Sequence, residues 1–486
     1  MKKLLQKRTP LFDTLYNHAR RKVISFHTPG HKNGRGIDPR LKRVTGKNVY
    51  YFDVTVFPEV DSLHAPTAAI KEAQRIFADA YGVKSAFFLV NGSTVGNQIM
   101  LTAACKPGDS VILSRICHKS VLSGIILSGV WPIWIQPTIY KKFDILLEAS
   151  PGQVKEAVNK FPEAKAVFIT SPTYNGITTD LVKISEIVHS KNKILLVDEA
   201  HGPHLKFHAD FPISAVEAGA DLCVQSIHKI LSAFSQGSVL YYNSELVDLA
   251  KLKKIVSLFQ TTSPNYLILA SLDLARAQVV REGAKIFSRI IECVEEAKEK
   301  INKLQHFKVL TREEVKELGY DLDVTKITIN VVDTGYTGYD ISEMLNKEYN
   351  IQVDCSDMFN IVAIVGIGTT RQDLMQLVKA LESIDRKSHS KKISNLPELP
   401  NLSTEMVMNP RDVVLSSKVK RIPLKKAAGH ISVEAITPYP PGIPILIPGE
   451  RITEEIRDYL LELSQYNVKL TGHESDSLKT IQVVSL

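Results

Sequence analysis

Ile194-Leu195-Leu196-Val197-Asp198-Glu199-Ala200-His201-Gly202 is the stretch on which the reading of this chain turns. Its aliphatic start is short and unbroken, as in a strand covered on both faces, and a carboxylate stands at its end. Further along, a second apolar run, Leu222–Gln225, leads into Ser226-Ile227-His228-Lys229. Similar runs at 86–90, 110–113, 132–135, Ala166–Thr170 and 239–242 are separated by helix-length segments, of which Ala69–Tyr81 and 93–104 carry helical spacing. Short buried strands alternating with helices predict an α/β fold. The sheet would be mainly parallel and flanked by helices, with ligands gathered at the carboxyl ends of its strands.

The two quoted stretches converge on one prosthetic group. A lysine amine can bind an aldehyde covalently, and a carboxylate beside a pyridine nitrogen keeps it protonated so that the ring accepts electrons. Together they are what holding pyridoxal 5'-phosphate requires. Lys229 lies between an apolar strand and the small-residue stretch 232–238, a setting that desolvates an ammonium, lowers its pKa and makes it nucleophilic. Ala200 is small enough to lie flat under an aromatic ring, and His201 is placed to reach the ring's phenolic oxygen. Asn91-Gly92-Ser93-Thr94-Val95-Gly96-Asn97, between a strand and a helix, can cradle a phosphate with its hydroxyls and the free amides of the first helical turn. Ser226 and His228 can donate to the same phosphate. His118, in Ile116-Cys117-His118-Lys119-Ser120, can stack on the ring and shield it from water. Each feature also has a plainer reading: a capped strand–helix turn at 91–97, a loop carboxylate, an exposed histidine, a solvated lysine. Their joint occurrence favours the cofactor site.

A length of 486 residues exceeds one compact core and implies two or three domains. Hydrophobic content of 44% and charged content of 23% are those of an ordinary globular protein, and a net charge of +8 is mild for this length. Most lysines are scattered, which argues against a nucleic-acid partner. The densest cluster, Lys418, Lys420, Arg421, Lys425 and Lys426, reads as a solvated strand or loop, with an anion or partner site as the alternative. Cys105, Cys117, Cys223, Cys293 and Cys355 are widely separated and form no CxxC pair. Neither a disulfide framework nor a metal site is expected, and a reducing cytoplasm suits them. The start, MKKLLQKRTP, carries charges where a signal peptide needs an apolar core. The most apolar stretch, 121–135, is interrupted by Gly124, Gly129 and Pro132 and is too short to span a bilayer. A soluble cytoplasmic protein without a membrane partner is the expectation.

Along the chain the expected parts are an arm over 1–58, a large cofactor-binding domain over 59–280, a small α/β domain over 281–386, a linker over 387–405 and a C-terminal domain over 406–486. The arm shows one short helix, Pro10–Arg20, and the turn-rich 26–34 segment. A polar helix at 282–304 and strands at 327–332 and 361–365 belong to the small domain. The proline-rich run 438–444 can brace a loop but cannot join a sheet interior.

HTPGHKNG from His27, FFLVNGSTVGN from Phe87, CHKS from Cys117, SPTYNGITTDL from Ser171, LVDEAHGPH from Leu196, VQSIHK from Val224 and PYPPGIP from Pro438 occur in this order over nearly the whole chain. They resemble the bacterial ornithine/lysine/arginine decarboxylases, in the compact form without an added N-terminal regulatory domain. The resemblance implies fold type I of the pyridoxal phosphate enzymes, the aspartate aminotransferase superfamily, with smaller α+β C-terminal domains. It implies Lys229 as the lysine that carries the cofactor, Asp198 as the partner of the pyridine nitrogen and His118 as the stacking group. Ser93, Thr94, Ser226 and His228 would hold the phosphate. A homodimer is implied too, with a phosphate-binding hydroxyl from the second subunit; Thr262, or Ser263, is the matching position, which by itself reads only as a polar loop.

The reaction implied is decarboxylation of a basic amino acid. Arginine to agmatine comes first, and lysine to cadaverine or ornithine to putrescine are the alternatives, all feeding polyamine synthesis. An aminotransferase or lyase of the same fold is a second class, and a non-catalytic relative a third. Retention of Lys229, Asp198 and His118 together argues against the last. A doubly charged substrate needs a local acid in a protein of net charge +8. Glu434 is the candidate for the distal ammonium or guanidinium, with Asp354 and Asp357 behind it and ordinary surface carboxylates as the plain reading. Pro203 and the stretch after Lys229 depart from many relatives, which bears on the substrate rather than on the cofactor.

Overall fold

The computed structural model describes residues 2–388, 397, 400–402, 404–416, 418–438, 443–465, 470–472 and 478–485. Seven strands build the main sheet: β1 (Ser85–Leu89), β2 (Ser110–Ser114), β3 (Trp131–Ile135), β4 (Ala166–Thr170), β5 (Ile194–Asp198), β6 (Leu222–Gln225) and β7 (Ser238–Tyr242). Their order is β1-β7-β6-β5-β4-β2-β3. In this sheet β7 runs against both neighbours, and the rest are parallel. β4, β5 and β6 are buried along their whole length, as strands covered on both faces must be. Register sets Thr170 beside Asp198 and Asp198 beside Val224. The three central strands therefore finish level, and the loops leaving them share one mouth.

Helices α1 (Pro10–Arg20), α2 (Ala69–Tyr81), α3 (Gly92–Ala104) and α4 (Lys119–Ser128) agree with the periodicity wherever it predicts them. α3 lies so close to the sheet that a Cβ on Gly96 would stand 2.4 Å from Val224 Cγ2, so a glycine is required there. Leu11 and Leu15 bury α1, and Asp273 Oδ2 accepts from Leu11 N at 3.0 Å, anchoring the start of the arm. The arm holds further short helices, Pro39–Thr45 and Val49–Phe52, beyond the single one expected.

The polar helix expected at 282–304 is the second half of a longer one, α5 (Tyr266–Asn302). Asn265 starts it by accepting from the Leu267 and Ile268 amides. The missed half is mostly buried, Leu269, Leu272, Ala275 and Val279 included, so it lacks the two-faced pattern that marks a surface helix.

A four-stranded antiparallel sheet follows, β8 (Lys308–Val309), β9 (Lys326–Asn330), β10 (Cys355–Ser356) and β11 (Asn360–Ile364), in the order β8-β9-β11-β10. A buried charge network ties it to the main sheet. Asp323 accepts from His204 Nε2 at 3.1 Å and from Lys326, whose Nζ also donates to His201 O at 2.8 Å. Burial works against the Asp323 carboxylate, but His204 and Lys326 hold it far below the usual range.

In the last part of the chain, β12 (Val419–Pro423) pairs antiparallel with β13 (Thr480–Val484), beside a helix at Glu454–Leu463. Leu424, Ile436, Leu446, Ile456, Leu460 and Ile481 form its core. The basic cluster is exposed on β12 and just to either side of it. Most of the expected linker and Tyr439–Gly442 of the proline-rich run lie outside the described residues. Among the described residues no helix is long and apolar enough to cross a membrane.

Arg115, at the end of β2, docks this last part on the main sheet. Its guanidinium donates to both Glu450 oxygens at 2.8 and 3.0 Å and to Ile445 O at 3.0 Å, with both side chains wholly buried. The Trp134 ring lies 5.2 Å from its centre. Glu450→Gln therefore leaves a buried cation without its counter-charge and should cost about 3–5 kcal/mol of stability. The double change Arg115→Met with Glu450→Leu should cost much less. Urea unfolding of the three proteins measures this; equal losses for single and double variants would remove the ion pair from the account.

Candidate active site

β5 delivers Asp198 to the carboxyl edge of the sheet, and backbone bonds from Glu199 N to Val224 O (3.0 Å) and Ser226 N to Ala200 O (3.3 Å) hold the following loop against β6. A single helical turn, Ile227–Ile230, then presents Lys229. Both side chains line one cavity of about 960 Å³. Ser93, Thr94, His118, Ala200, His201, Ser226 and His228 line it too, so these sequence candidates are brought together from four segments of the chain.

Lys229 Nζ lies 2.8 Å from His201 Nε2 and 6.0 Å from the centre of the Tyr174 ring. Burial lowers the lysine's pKa, against the pull of Asp198 and Asp354. His201 is held well below its ordinary value by burial and by Lys229, so its ring is neutral. Asp198 Oδ1 accepts from Ala200 N at 3.0 Å and Oδ2 from Asn97 Nδ2 at 2.7 Å. Burial pushes the Asp198 carboxyl upward, while Asn97, Lys229 and Ala200 pull it back. His118 Nδ1 lies 2.8 Å from Ser120 Oγ, and burial brings its pKa down to about 4.

At the start of α3, Gly92 has φ +68 and its amide donates to Gln236 O at 2.9 Å, while no side chain caps the amides that follow. Ser93 Oγ and Ser226 Oγ stand 2.7 Å apart beside them. His228 Nδ1 donates to Gly237 O at 2.9 Å, which leaves Nε2 for a ligand. That nitrogen donates only from a protonated ring, a state that an adjacent phosphate dianion favours.

Two candidates fall elsewhere in the chain. Glu434 does not line the cavity: it is buried in the C-terminal part, where its Oε2 accepts from Gln482 N at 3.2 Å. Bridges from Ile431 and Ser432 to Arg451 and Val483 turn this segment inward, a tertiary pairing that its local sequence does not announce. Thr262 and Ser263 are exposed on the surface, outside the cavity of their own chain. Of the three acids considered for the distal charge, Asp354, ranked behind Glu434 from sequence, is the one that lines the cavity, and Asp357 lines a neighbouring crevice with Tyr174. Sequence reasoning assigned no role to Asn97, Ser120, Thr170 or Tyr174, which also line the cavity. A usable signal existed for Asn97, four residues after Ser93 and hence on the same helical face.

The Orn/Lys/Arg decarboxylase major domain matches residues 9–373, and the Orn/Lys/Arg decarboxylase C-terminal domain matches residues 396–480. The chain is similar to the arginine decarboxylase of Bacillus subtilis (strain 168), with 37% identity over 99% of this chain and 98% of that protein. The constitutive lysine decarboxylase of Escherichia coli (strain K12) is 25% identical over 96% of this chain and 79% of that protein. The crystal structure of the Francisella novicida lysine decarboxylase LdcF matches with a TM-score of 0.86 at 25% identity, covering 98% of this chain and 81% of that one. The sheet order with its one reversed strand is the fold-type-I architecture that the resemblance implied. With both domains matched and full-length relatives at this identity, the chain belongs to the Orn/Lys/Arg decarboxylase family.

Proposed function

We propose that this protein decarboxylates a basic amino acid, arginine to agmatine ahead of lysine to cadaverine or ornithine to putrescine, with pyridoxal 5'-phosphate held at Lys229. The observation that carries the reading is that Lys229, Asp198 and Asp354 share one cavity. Arginine is favoured because the 37% identical relative is named an arginine decarboxylase, whereas the lysine decarboxylase relative stands at 25%.

The residues fit the cofactor. Paired serine hydroxyls beside the uncapped start of α3 suit a phosphate. His201 Nδ1 and Thr170 Oγ1 are buried without a hydrogen-bond partner, as polar atoms waiting on a bound ring and its substituents would be. Ala200 leaves room for a flat ring beside it.

When bound, pyridoxal phosphate supplies an electron sink for the bond broken at the substrate's α-carbon. Lys229 Nζ is the nucleophile that holds it, made reactive by burial. Asp198 sets an anion against the pyridine nitrogen, and a cation there would join Asn97 and Lys229 in keeping that carboxylate ionised. Val353, Ala363 and Ile364 give the departing carboxylate an apolar wall, where loss of its charge is favoured. Once free, Lys229 Nζ would be placed to move a proton at the substrate's α-carbon, and His201 Nε2, 2.8 Å away, is close enough to exchange one with it. Asp354 receives the distal cation. Asp354 is exposed to solvent, yet desolvation by the surrounding protein raises its pKa, so an arriving cation stabilises the ionised form, and a guanidinium can engage both oxygens.

A homodimer completes the reading, with Thr262 reaching a neighbour's phosphate. Large apolar side chains lie bare near that loop and on the arm, Leu258 at 75% and Phe26 at 94% exposure, which suits a covering subunit. The described cysteines are unpaired, in keeping with a cytoplasmic setting.

Arginine, lysine and ornithine supplied in parallel, with the amine products identified, test the substrate; agmatine should dominate, and a transamination product in its place would refute decarboxylation. Lys229→Ala should abolish turnover and the visible absorption of the cofactor-loaded protein, and retained turnover would remove Lys229 from its role. Asp354→Asn should raise KM for arginine roughly tenfold or more, the loss of one charged hydrogen bond, with a smaller effect on kcat. An unchanged KM would place the distal cation elsewhere. Sedimentation at assay concentration should give a dimer mass, and an active monomer would exclude Thr262 from the site.

A further inference from the structure

Asn97 is wholly buried on α3, and its Nδ2 donates twice. One bond runs to Asp198 Oδ2 at 2.7 Å, the other to Ser120 Oγ at 2.8 Å. The Ser120 hydroxyl in turn lies 2.8 Å from His118 Nδ1, which also accepts from Ser120 N at 3.2 Å. The direction of every bond in this chain is fixed by chemistry. An ionised carboxylate only accepts, so the NH2 end of the amide faces Asp198. Its second hydrogen occupies a lone pair of Ser120 Oγ, which frees the serine's own hydrogen for His118. Nδ1 then faces two donors and carries no proton, so the proton of the neutral ring sits on Nε2.

We propose that Asn97 is a positioning residue which, through these two hydrogens, fixes the orientation of the Asp198 carboxylate and of the Ser120 hydroxyl that donates to His118 Nδ1, as one unit. The group assigned to the pyridine nitrogen and the group assigned to the ring face are thereby fixed together; this rests on the cofactor reading given above. With Ala200 N on Oδ1 and Asn97 on Oδ2, each oxygen of Asp198 has one rigid donor, and the carboxylate cannot turn without losing both. His118 is neutral near physiological pH, since burial, with Lys229 and Lys119 nearby, disfavours its charged form. Its behaviour is therefore decided by which nitrogen bears the single proton.

A purely structural role does not account for Asn97. Its Oδ1 is buried with no partner, an arrangement that costs stability and that an apolar residue of similar size would avoid. Its two hydrogens reach two groups that line the cavity, Asp198 and Ser120. Ser93, one turn earlier, faces the same cavity, so α3 contributes to the cofactor site twice.

The test uses the full-length protein labelled with 15N-histidine, studied by NMR both stripped of cofactor and loaded with pyridoxal phosphate, with His118 assigned from His118→Gln. Wild type should show an unprotonated Nδ1 and a protonated Nε2 in both states. Ser120→Ala removes the hydroxyl donor and keeps the backbone one, so His118 should stay protonated on Nε2 while its Nδ1 resonance shifts with the lost hydrogen bond. Asn97→Ala should shift the Nδ1 resonance in the same direction, because the Ser120 hydroxyl is no longer held, and weaken pyridoxal phosphate binding roughly tenfold or more, the loss of one charged hydrogen bond. Folded Asn97→Ala with the wild-type Nδ1 resonance and affinity overturns the proposal. Should that variant not fold, Ser120→Ala, which deletes a single oxygen, still decides: an unaltered His118 signal there overturns the relay. Failure of wild type to bind pyridoxal phosphate would sink the cofactor reading instead, and the signals of the stripped protein would still judge Asn97.

Discussion

A buried carboxylate and a buried amine around one cavity are the constraint from which the rest follows. Neither Asp198 nor Lys229 has a favourable ionised state alone in such surroundings, because burial raises the acid and lowers the base. Each is stabilised by the other and by a small set of dipoles: Asn97 and Ala200 on the acid, His201 on the amine. That balance holds only while β5 and β6 end level and the two loops after them stay bonded, which is what the register Asp198–Val224 and the Glu199 and Ser226 backbone bonds secure. The parallel sheet is the instrument that makes the meeting rigid.

Around this pair the fold uses further buried charges as fasteners. Asp323, His204 and Lys326 clamp the small sheet to the loop bearing His201, and Arg115 with Glu450 clamps the last part of the chain to the end of β2. Such pairs add less net stability than apolar packing of the same volume, but they penalise any misdocked arrangement heavily, since a slipped pair leaves a charge buried alone. Placing them at the seams between sheets keeps the walls of the cavity in one relative position. Asp354 and the apolar residues of β11 reach the cavity from the small-sheet side of such a seam.

Legibility from sequence followed locality. The core strands, α2 and α3 could be read because each is a continuous run whose periodicity reports its own burial. The buried first half of α5 could not, since a helix surrounded by protein loses its polar face. In the site, Lys229, Asp198, Ser93 and Ser226 were legible from residue type at strand ends. Asn97 and Ser120 were not, because a neutral amide and a hydroxyl have meaning only through what they touch. The position of Glu434 outside the cavity was illegible for the same reason: its neighbours in sequence, a polar stretch before prolines, say nothing of the pairing with 482–483 that buries it.

The sequence by itself determined the α/β class, the succession of strands and helices and the chemical identity of the groups at the strand ends. These are encoded in short windows, where hydrophobic period and residue type act over a few neighbours. Only the tertiary structure decided which carboxylate enters the cavity, that Asp354 does and Glu434 does not, and which hydrogens orient Asp198 and His118. Those outcomes depend on sheet order and on contacts between residues as far apart as 97 and 198, or 229 and 354, and no local preference fixes distances across such separations. Burial then magnifies the result, because in a poorly solvated cavity the placing of one amide hydrogen weighs heavily on which charge survives.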